Sequence, residues 1–219
     1  MKKNLFLLTV LIVISSFIFT GCGSNVNTLE AVKNTKKFRV GLDDTFAPMG
    51  YRDPESNKLV GFDIDFARAV AKKMNLDEPE FVPTDWDGVF AALKANKFDV
   101  IINGLSISED RKKLCDFSEP YMNNRQIVIV KEGSDININS VEELKDKSIA
   151  VQRGSTSYEA IKKAGLTDSA QEYETNYLAF EEVKNGRVDC AVTDEIYAKS
   201  YNTKNDGIEV LDVSLQSEP

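Results

Sequence analysis

The alternation of short apolar runs with segments of helical periodicity constrains the fold of this chain more than any other feature. Ile64, Ala67, Val70, Ala71 and Met74 recur at the spacing of one helix face. Strands should flank that helix, because the runs around it are short, apolar and rich in β-formers. In order, the pattern predicts a strand over 38–42, a helix capped by Asp63, a strand at 81–82, a helix over 87–95 and a strand over 99–102.

The same alternation starts again after an apolar strand at 126–130, which we interpret as a crossover between two lobes. The predicted elements are a capping box from Ser140 to Glu143, a strand over 149–152, a helix over 157–164 ended by Gly165, a strand near Tyr173, a helix over 177–184 ended by Gly186, a strand over 188–192 and a helix from Asp194 or Glu195. We therefore expect an α/β protein with mainly parallel sheets and lobes over 37–125 and 126–219.

An internal repeat supports two lobes built alike. Residues 90–103 and 180–193 align without gaps, with matching apolar positions and identical Phe, Lys and Asp at three places. The repeat would put Asn103–Gly104 and Thr193–Asp194 at equivalent strand ends. Open α/β sheets bind ligands at the carboxyl ends of their strands, so both pairs are candidate site positions.

The N-terminus has the arrangement of a secretory signal. Lys2 and Lys3 precede an apolar run over 5–19, followed by Thr20-Gly-Cys22. That run is shorter than the ~20 residues of a membrane-spanning helix, although an uncleaved anchor helix is the alternative. We expect a signal peptide over 1–21, a lipid such as palmitate on Cys22 and a tether over 22–36, which would hold the protein on the outer face of the cell membrane.

Composition narrows the function. The formal net charge is −8, which argues against a nucleic-acid partner because phosphate binding needs clustered Lys and Arg. Without histidine, acid–base catalysis near neutral pH has few candidates. Cys115 and Cys190 have apolar or strand-like neighbours, so we expect buried free thiols and no disulfide. The sequence has no metal-ligand spacing, and we expect neither a metal nor a cofactor.

Residues 103–121 (NGLSISEDRKKLCDFSEPY) couple a buried strand end to a polar turn. Ser108 is a candidate N-cap for a short helix starting at Glu109, which would put Arg111 in the first turn. A cation there opposes the helix dipole. A guanidinium aimed at a ligand carboxylate would explain it, and an ion pair with Glu109 or Asp110 is the alternative.

This segment resembles the central signature of the polar amino-acid solute-binding proteins of ABC importers. Five further pieces fit the same family in order: VGLDDTFAPM at 40–49, GFDID at 61–65, DWD at 85–87, VQRGST at 151–156 and VTD at 192–194. The resemblance spans nearly the whole chain after the leader. It implies a type II periplasmic-binding-protein fold, a cleft that closes over a free amino acid, and delivery of that ligand to a membrane permease by a monomer.

A free amino acid needs a cation and an anion in its cleft, because burying either of its charges unpaired is costly. Arg111 would take the carboxylate, with help from Ser106 and from backbone N–H groups near Thr156. Asp194 would take the ammonium, with the Gly104 carbonyl as a second acceptor. The resemblance implies the same assignments.

Four further residues are candidates for contact with the ligand side chain. The resemblance places Phe46 and Trp86 on either side of it, although a lone Trp can equally be core packing. Asp43 could meet an amine or hydroxyl, or could cap a turn with Asp44. Gln152 is a polar candidate. Together they favour a polar ligand, with cystine and glutamine among the candidates.

The chain departs from the family at two places. The family continues past the second lobe and returns to the first, whereas this sequence stops at Pro219, so we expect the return segment to be missing. Ser106 stands where many relatives carry Thr, which keeps the hydroxyl. A dehydratase-type enzyme on the same fold and the ligand-binding domain of a sensor are the alternative functions.

Overall fold

The structure is a computed structural model that describes residues 28–203 and 207–219. The predicted signal peptide and Cys22 lie outside these residues. The chain divides into two compact units, 1–31 and 32–219. The described residues of the first unit form the start of helix α1 (Thr28–Thr35). In the described ranges, no helix has both the length and the apolar character needed to cross a membrane.

A three-stranded parallel sheet in the order β5-β1-β6 forms the centre of what we call the first lobe, the β1–β6 part of the chain. The residues that follow β1 along the chain form a small antiparallel sheet in the order β2-β3-β4. The elements are β1 (Arg39–Leu42), β2 (Thr45–Phe46), β3 (Gly50–Arg52), β4 (Leu59–Val60), α2 (Phe62–Lys73), β5 (Glu80–Pro83), α3 (Val89–Lys94) and β6 (Val100–Ile101).

A five-stranded sheet in the order β11-β7-β10-β8-β9 forms the centre of the second lobe, the β7–β11 part. Strands β9, β8 and β10 run parallel, and β7 is antiparallel to both β10 and β11. The elements are β7 (Asn124–Lys131), β8 (Ile149–Gln152), α4 (Thr156–Lys163), β9 (Ala170–Tyr173), α5 (Asn176–Lys184), β10 (Cys190–Asp194), α6 (Glu195–Asn202) and β11 (Ile208–Glu218).

The predicted α/β class is therefore confirmed. Mainly parallel pairing is right for the β5-β1-β6 sheet and wrong for the five-stranded sheet, in which two strand pairs are parallel and two are antiparallel. Local signals set several element ends. The Ser155 hydroxyl caps α4 by accepting from the Tyr158 amide at 3.2 Å, and the Thr175 hydroxyl caps α5 in the same way. Gly165 and Gly186 follow the two helices with φ of 73° and 68°, the left-handed conformation in which glycine ends a helix.

Two predicted caps are wrong. Asp63 does not cap α2, because the helix begins one residue earlier and Gly61 is its N-cap. Asp63 is instead fully buried and accepts a hydrogen bond from the Tyr121 hydroxyl at 2.9 Å. The box predicted from Ser140 is a 3-10 turn (Glu142–Asp146), in which Glu143 accepts from the Asn139 amide and not from Ser140.

Strand β11 is absent from the sequence-based prediction. It pairs along β7 from Ile208 opposite Lys131 to Glu218 opposite Asn124, with register shifts between Val210 and Ser214 and again before Gln216. Such irregularities break the alternation of apolar and polar residues that identifies a strand from sequence. The strand brings Glu218 back to the start of β7.

The two cysteines within residues 28–203 and 207–219, Cys115 and Cys190, are both free. Cys190 is buried in the second lobe, where burial raises the pKa of its thiol to about 12. Cys115 is partly exposed, so the prediction of two buried thiols is right for Cys190 and wrong for Cys115. Cys115 follows a polar turn and not a buried strand, which explains the difference.

Candidate ligand-binding site

A cavity of about 290 Å³, part of it open to solvent, lies between the strand ends of the two lobes. All of the ligand residues predicted from the sequence line it. Asn103, which was predicted as a strand-end position of the site but not as a ligand contact, and Ser155, which was not predicted, also line it. The lining consists of Asp43, Phe46, Trp86, Asn103, Gly104, Ser106, Arg111, Gln152, Ser155, Thr156 and Asp194.

Arg111 is the buried cation of this cavity, with only 3% of its surface exposed. The predicted helix from Glu109 is wrong: Arg111 begins a single 3-10 turn (Arg111–Lys113), and the Ser108 hydroxyl accepts from its amide at 3.3 Å. Its guanidinium donates to the carbonyl oxygens of Ser106 at 3.1 Å and Gly154 at 3.3 Å. Burial lowers the pKa of Arg111.

The alternative ion pairs of Arg111 do not form. Glu109 pairs with Lys112 at 2.7 Å, and Asp110 pairs with Lys113 at 2.6 Å. The two acidic residues are thus occupied by the lysines of the same turn, at exposed positions. Arg111 meets neutral carbonyl oxygens in the protein, which leaves its charge for a further anion.

Two aromatic rings lie close to the Arg111 guanidinium. Its central carbon lies 5.6 Å from the centre of the Trp86 ring and 5.8 Å from that of Phe90. Both distances are within the range of cation–π contacts. Trp86 therefore lines the cavity and also orients Arg111, a role that neither the predicted ligand contact nor core packing describes.

Asp43 and Gln152 face each other from the carboxyl ends of β1 and β8. Gln152 Nε2 donates to Asp43 Oδ2 at 3.0 Å, and the amide and hydroxyl of Thr45 donate to Oδ1. Burial raises the pKa of Asp43. Asp43 thus holds a turn through Thr45, while Asp44 pairs with Arg52 at 2.6 Å.

Asp194 stands at the carboxyl end of β10, directly before α6. The side-chain amides of Gln126 and Asn124 both donate to its Oδ1. The pKa of Asp194 is raised to about 6: burial is the main cause and the nearby Glu218 carboxylate adds to it, while the Gln126 and Asn124 amides and Arg111 act against it. Asp194 is therefore a buried acid whose second oxygen can face a ligand.

Gln126 connects several groups behind the cavity wall. Its Nε2 lies 2.9 Å from Asp194 Oδ1, 3.1 Å from Thr156 Oγ1 and 2.7 Å from Glu218 Oε1. Its oxygen accepts a short hydrogen bond from Ser157. Sequence reasoning did not find Gln126 or Glu218 as part of the site. The sequence did mark Gln126 as unusual, because it is the one polar residue of the predicted strand over 126–130. No sequence pattern indicated Glu218.

Phe46 forms an apolar wall of the cavity. Its ring stacks on Tyr197 of α6 with centres 5.5 Å apart. Gly104 has φ of 55°, and a Cβ atom there would lie 3.0 Å from the Phe46 ring. Glycine at this position is therefore needed for both the backbone conformation and the space that Phe46 occupies.

Polar contacts join the lobes around the cavity. Besides the Gln152–Asp43 and Arg111–Gly154 hydrogen bonds, Arg153 of the second lobe pairs with Asp87 of the first at 3.3 Å. The described structure is therefore one in which the two lobes touch across the candidate site.

Two α/β lobes with a charged cavity between their strand ends define the type II class of two-lobed binding proteins. Residues 38–179 match the bacterial extracellular solute-binding proteins, family 3. The chain belongs to this family.

Named relatives agree with that membership. The chain is 32% identical over 183 residues to the L-cystine-binding protein TcyJ of Escherichia coli strain K12. The aligned region covers 83% of this chain and 68% of that protein. It is similar in structure to the holo form of ArgBP from T. maritima, with a TM-score of 0.80 and 33% identity over 86% of this chain and 82% of that one.

A third similar structure belongs to the ancestral amino acid-binding protein AncCDT-1, described as a precursor of cyclohexadienyl dehydratase. The TM-score is 0.79, with 39% identity over 88% of this chain and 83% of that chain. The similarity thus includes a binding protein that preceded an enzyme on this fold.

Proposed function

We propose that this protein captures a polar free α-amino acid outside the cytoplasm and delivers it to the permease of an ABC importer. The observation that carries the proposal is the pairing of opposite charges across one cavity. Arg111 comes from the first lobe and Asp194 from the second, and both line the same space. A ligand that carries both a carboxylate and an ammonium would satisfy both groups and bridge the lobes.

Each charged group is held in a state that suits this role. The Arg111 guanidinium lies close to two aromatic rings and donates its described hydrogen bonds to neutral carbonyl oxygens, so a ligand carboxylate could bond to it directly. Asp194 receives both protein amides on one oxygen, which leaves the other for an ammonium. The Thr156 backbone amide at the start of α4 supplies a further donor for the carboxylate.

The side-chain end of the ligand would lie against Asp43, Gln152 and Phe46. Among the described residues that line the cavity, Asp43 and Asp194 are acidic and Arg111 is the one cation, so acidic amino acids should be rejected. Neutral polar and cationic side chains fit this lining. The relatives described above, one for cystine and one named ArgBP, are consistent with that range.

We further propose that the protein binds without chemical change, as a monomer, and that a lipid on Cys22 anchors it to the outer face of the membrane. The Asp43 carboxylate is engaged by Thr45 and Gln152, which makes it a poor general acid or base. The signal-like sequence before Cys22 supports the anchor.

The first test is calorimetric titration of a version that starts after Cys22 with each natural amino acid and with cystine, once circular dichroism shows that it folds. We expect one-to-one saturable binding of a polar amino acid that is recovered unchanged. Binding of no amino acid by the folded protein would contradict the proposal, and turnover would favour the enzyme.

The anchor has its own test. Cells that express the full chain would be labelled with radioactive palmitate, and we expect label on the wild type and none on Cys22→Ser. Cys115→Ser is the matched control, because it removes a partly exposed thiol from the folded part. Equal labelling of the wild type and Cys22→Ser would refute the lipid anchor at Cys22.

A further inference from the structure

Glu218 is a buried carboxylate whose immediate partners are neutral. Only 5% of its surface is exposed. Its Oε1 accepts from Gln126 Nε2 at 2.7 Å and from the Thr156 hydroxyl at 2.6 Å, and its Oε2 accepts from Gln216 at 2.7 Å. Burying a carboxylate costs free energy that neutral donors offset only in part, so its position calls for an explanation.

The partners of Glu218 are groups that also bear on the cavity. Thr156 lines the cavity at the start of α4, where the proposed ligand carboxylate would bind. Gln126 donates on one side to Glu218 and on the other to Asp194, where the proposed ammonium would bind. Glu218 therefore touches both halves of the proposed ligand site through one hydrogen bond each.

The hydroxyl of Thr156 has a defined orientation as a consequence. Because it donates its hydrogen to Glu218, it has none to offer a ligand, and it accepts from Gln126. The contribution of Thr156 to carboxylate binding is then its backbone amide, which Glu218 holds in place through the side chain.

Four groups act on the charge of the Asp194 carboxyl besides its burial. Asn124 and Gln126 of β7 donate to it, Arg111 of the first lobe favours its ionised form, and Glu218 of β11 opposes ionisation. Glu195 of α6 is neutralised by Arg125 and Lys199. Glu218 is thus the acidic neighbour whose charge acts on Asp194.

We propose that Glu218 is a positioning residue for the ligand: through Gln126 and Thr156 it fixes the groups that would receive the ammonium and the carboxylate, and its negative charge sets the pH below which Asp194 no longer binds an ammonium. This inference rests on the proposed function for its ligand. Its electrostatic part concerns the protein alone.

The sign of the effect follows from the charges. A carboxylate near Asp194 disfavours a second negative charge, so it raises the pKa of Asp194. Since only the ionised form pairs with an ammonium, affinity should fall as the pH drops below about 6. Removing the charge of Glu218 should move that fall to lower pH.

The first experiment follows the side-chain carboxyl carbon of Asp194 by NMR in the purified full chain, in mild detergent, with Asp194→Asn for assignment. Glu218→Gln removes the charge and keeps an oxygen that can accept the hydrogen bonds from Gln126 and Thr156. We expect the Asp194 midpoint to fall from about 6 by about one pH unit. Glu209→Gln is the control, because it makes the same change at an exposed position of β11.

The second experiment measures dissociation constants at pH 5 and pH 8 with L-arginine and L-glutamine as probes. In the wild type, the constant should rise about tenfold at pH 5, and in Glu218→Gln by about twofold. Glu218→Ala should also weaken binding at pH 8, because it deletes the hydrogen bonds to Gln126 and Thr156.

An unchanged Asp194 midpoint in Glu218→Gln would overturn the inference, whichever ligand binds. An equal loss of affinity at pH 5 and pH 8 in Glu218→Gln would also overturn the inference, since a merely structural role of Glu218 would give that result. If neither probe binds, the NMR midpoint decides alone, and the proposed function is then judged by the amino-acid panel.

Discussion

Compared strand by strand, the parallel units of the two lobes follow one plan. In each unit, the first strand is central and the two later strands flank it: β5-β1-β6 in the first lobe and β9-β8-β10 in the second. An aspartate before the last strand accepts from the amide that precedes or begins the central strand. Asp99 binds the Arg39 amide at 2.8 Å, and Asp189 binds that of Ser148 at 2.7 Å.

The units differ in the residues that stand at their strand ends. Asp43 follows the central strand of the first unit, and Gln152 ends that of the second. The two side chains are hydrogen-bonded to each other. At the carboxyl ends of the last strands, Gly104, which follows β6, corresponds in the sequence repeat to Asp194, which ends β10. The shared arrangement of strands therefore positions the site, and its two sides differ in charge: the first carries Arg111 and Asp43, and the second carries Asp194.

Removing Arg111, the cation on the first-lobe side of the cavity, should have the largest effect on this difference in charge. Arg111→Ala should weaken amino-acid binding by about 2–5 kcal/mol, because it leaves the ligand carboxylate buried without a partner. Calorimetry with the identified ligand measures the loss. Arg111→Lys keeps the charge without the planar guanidinium, so its ligand affinity should lie between those of the wild type and Arg111→Ala. Unchanged affinity in Arg111→Ala would remove this residue from the site.

A pair of substitutions in the first lobe tests whether the parallel units of the two lobes pack in the same way. Gly41 of β1 corresponds to Ala150 of β8, and Phe98 corresponds to Val188. A Cβ atom at Gly41 would lie 2.4 Å from the Phe98 ring. Gly41→Ala alone should lower the free energy of unfolding by about 3 kcal/mol through overpacking.

Phe98→Val in the same chain supplies the matching space and copies the pair of the second lobe. Urea unfolding of the double variant should show a loss well below the sum of the two single losses. Strict additivity of the three measurements would mean that the two units do not share this packing.

The two lobes also differ at the second residue of the first helix that follows the central strand. Asp63 in α2 and Ser157 in α4 are both fully buried, but only the acid titrates. Burial raises the pKa of Asp63 to about 6 from 3.8. The folded state then holds the proton more tightly than the unfolded state, so stability falls as the pH rises from about 4 to about 6.

Asp63→Asn should remove that part of the pH dependence, which amounts to about 2 kcal/mol. Unfolding free energies at pH 4 and pH 7 measure it as the difference between wild type and variant. Asp65→Asn, two residues along the same helix and exposed, is the control. If Asp63→Asn and wild type change in parallel, Asp63 is ionised throughout.

The smallest effect is expected at the rim, where the lobes meet in solvent. Arg153 and Asp87 pair at 3.3 Å with side chains 52% and 39% exposed. Arg153→Ala should cost less than about 1 kcal/mol of ligand affinity, seen in stopped-flow as faster dissociation that high salt reproduces in the wild type. A loss as large as that of Arg111→Ala would show that the rim carries the closure.

Sequence reasoning succeeded where the controlling signals are local. The bounds of β8 agree with the prediction to the residue, and the glycines after α4 and α5 end those helices as expected. The cavity lining was also predictable, because its residues stand next to recognisable strand ends. Their role in ligand binding stays a prediction.

The failures have long-range causes. The buried environment of Asp63 depends on Tyr121, which is remote in sequence. Strand β11 exists through pairing with β7 across bulges, and Glu218 gains its meaning only from that pairing. Trp86 and Arg111 were each predicted for the site, but their mutual stacking required the fold.

The Gln126 side chain has one property that the distances alone do not express. An amide nitrogen carries two hydrogen atoms, yet three oxygen atoms surround it, on Thr156, Asp194 and Glu218. At any instant the three oxygens compete for two hydrogens, although Asn124 also donates to Asp194 and the Thr156 hydroxyl to Glu218. An ammonium on the other oxygen of Asp194 would draw on the charge of that carboxylate, so the two Gln126 hydrogens could pass to Thr156 and Glu218 without any side chain having to turn.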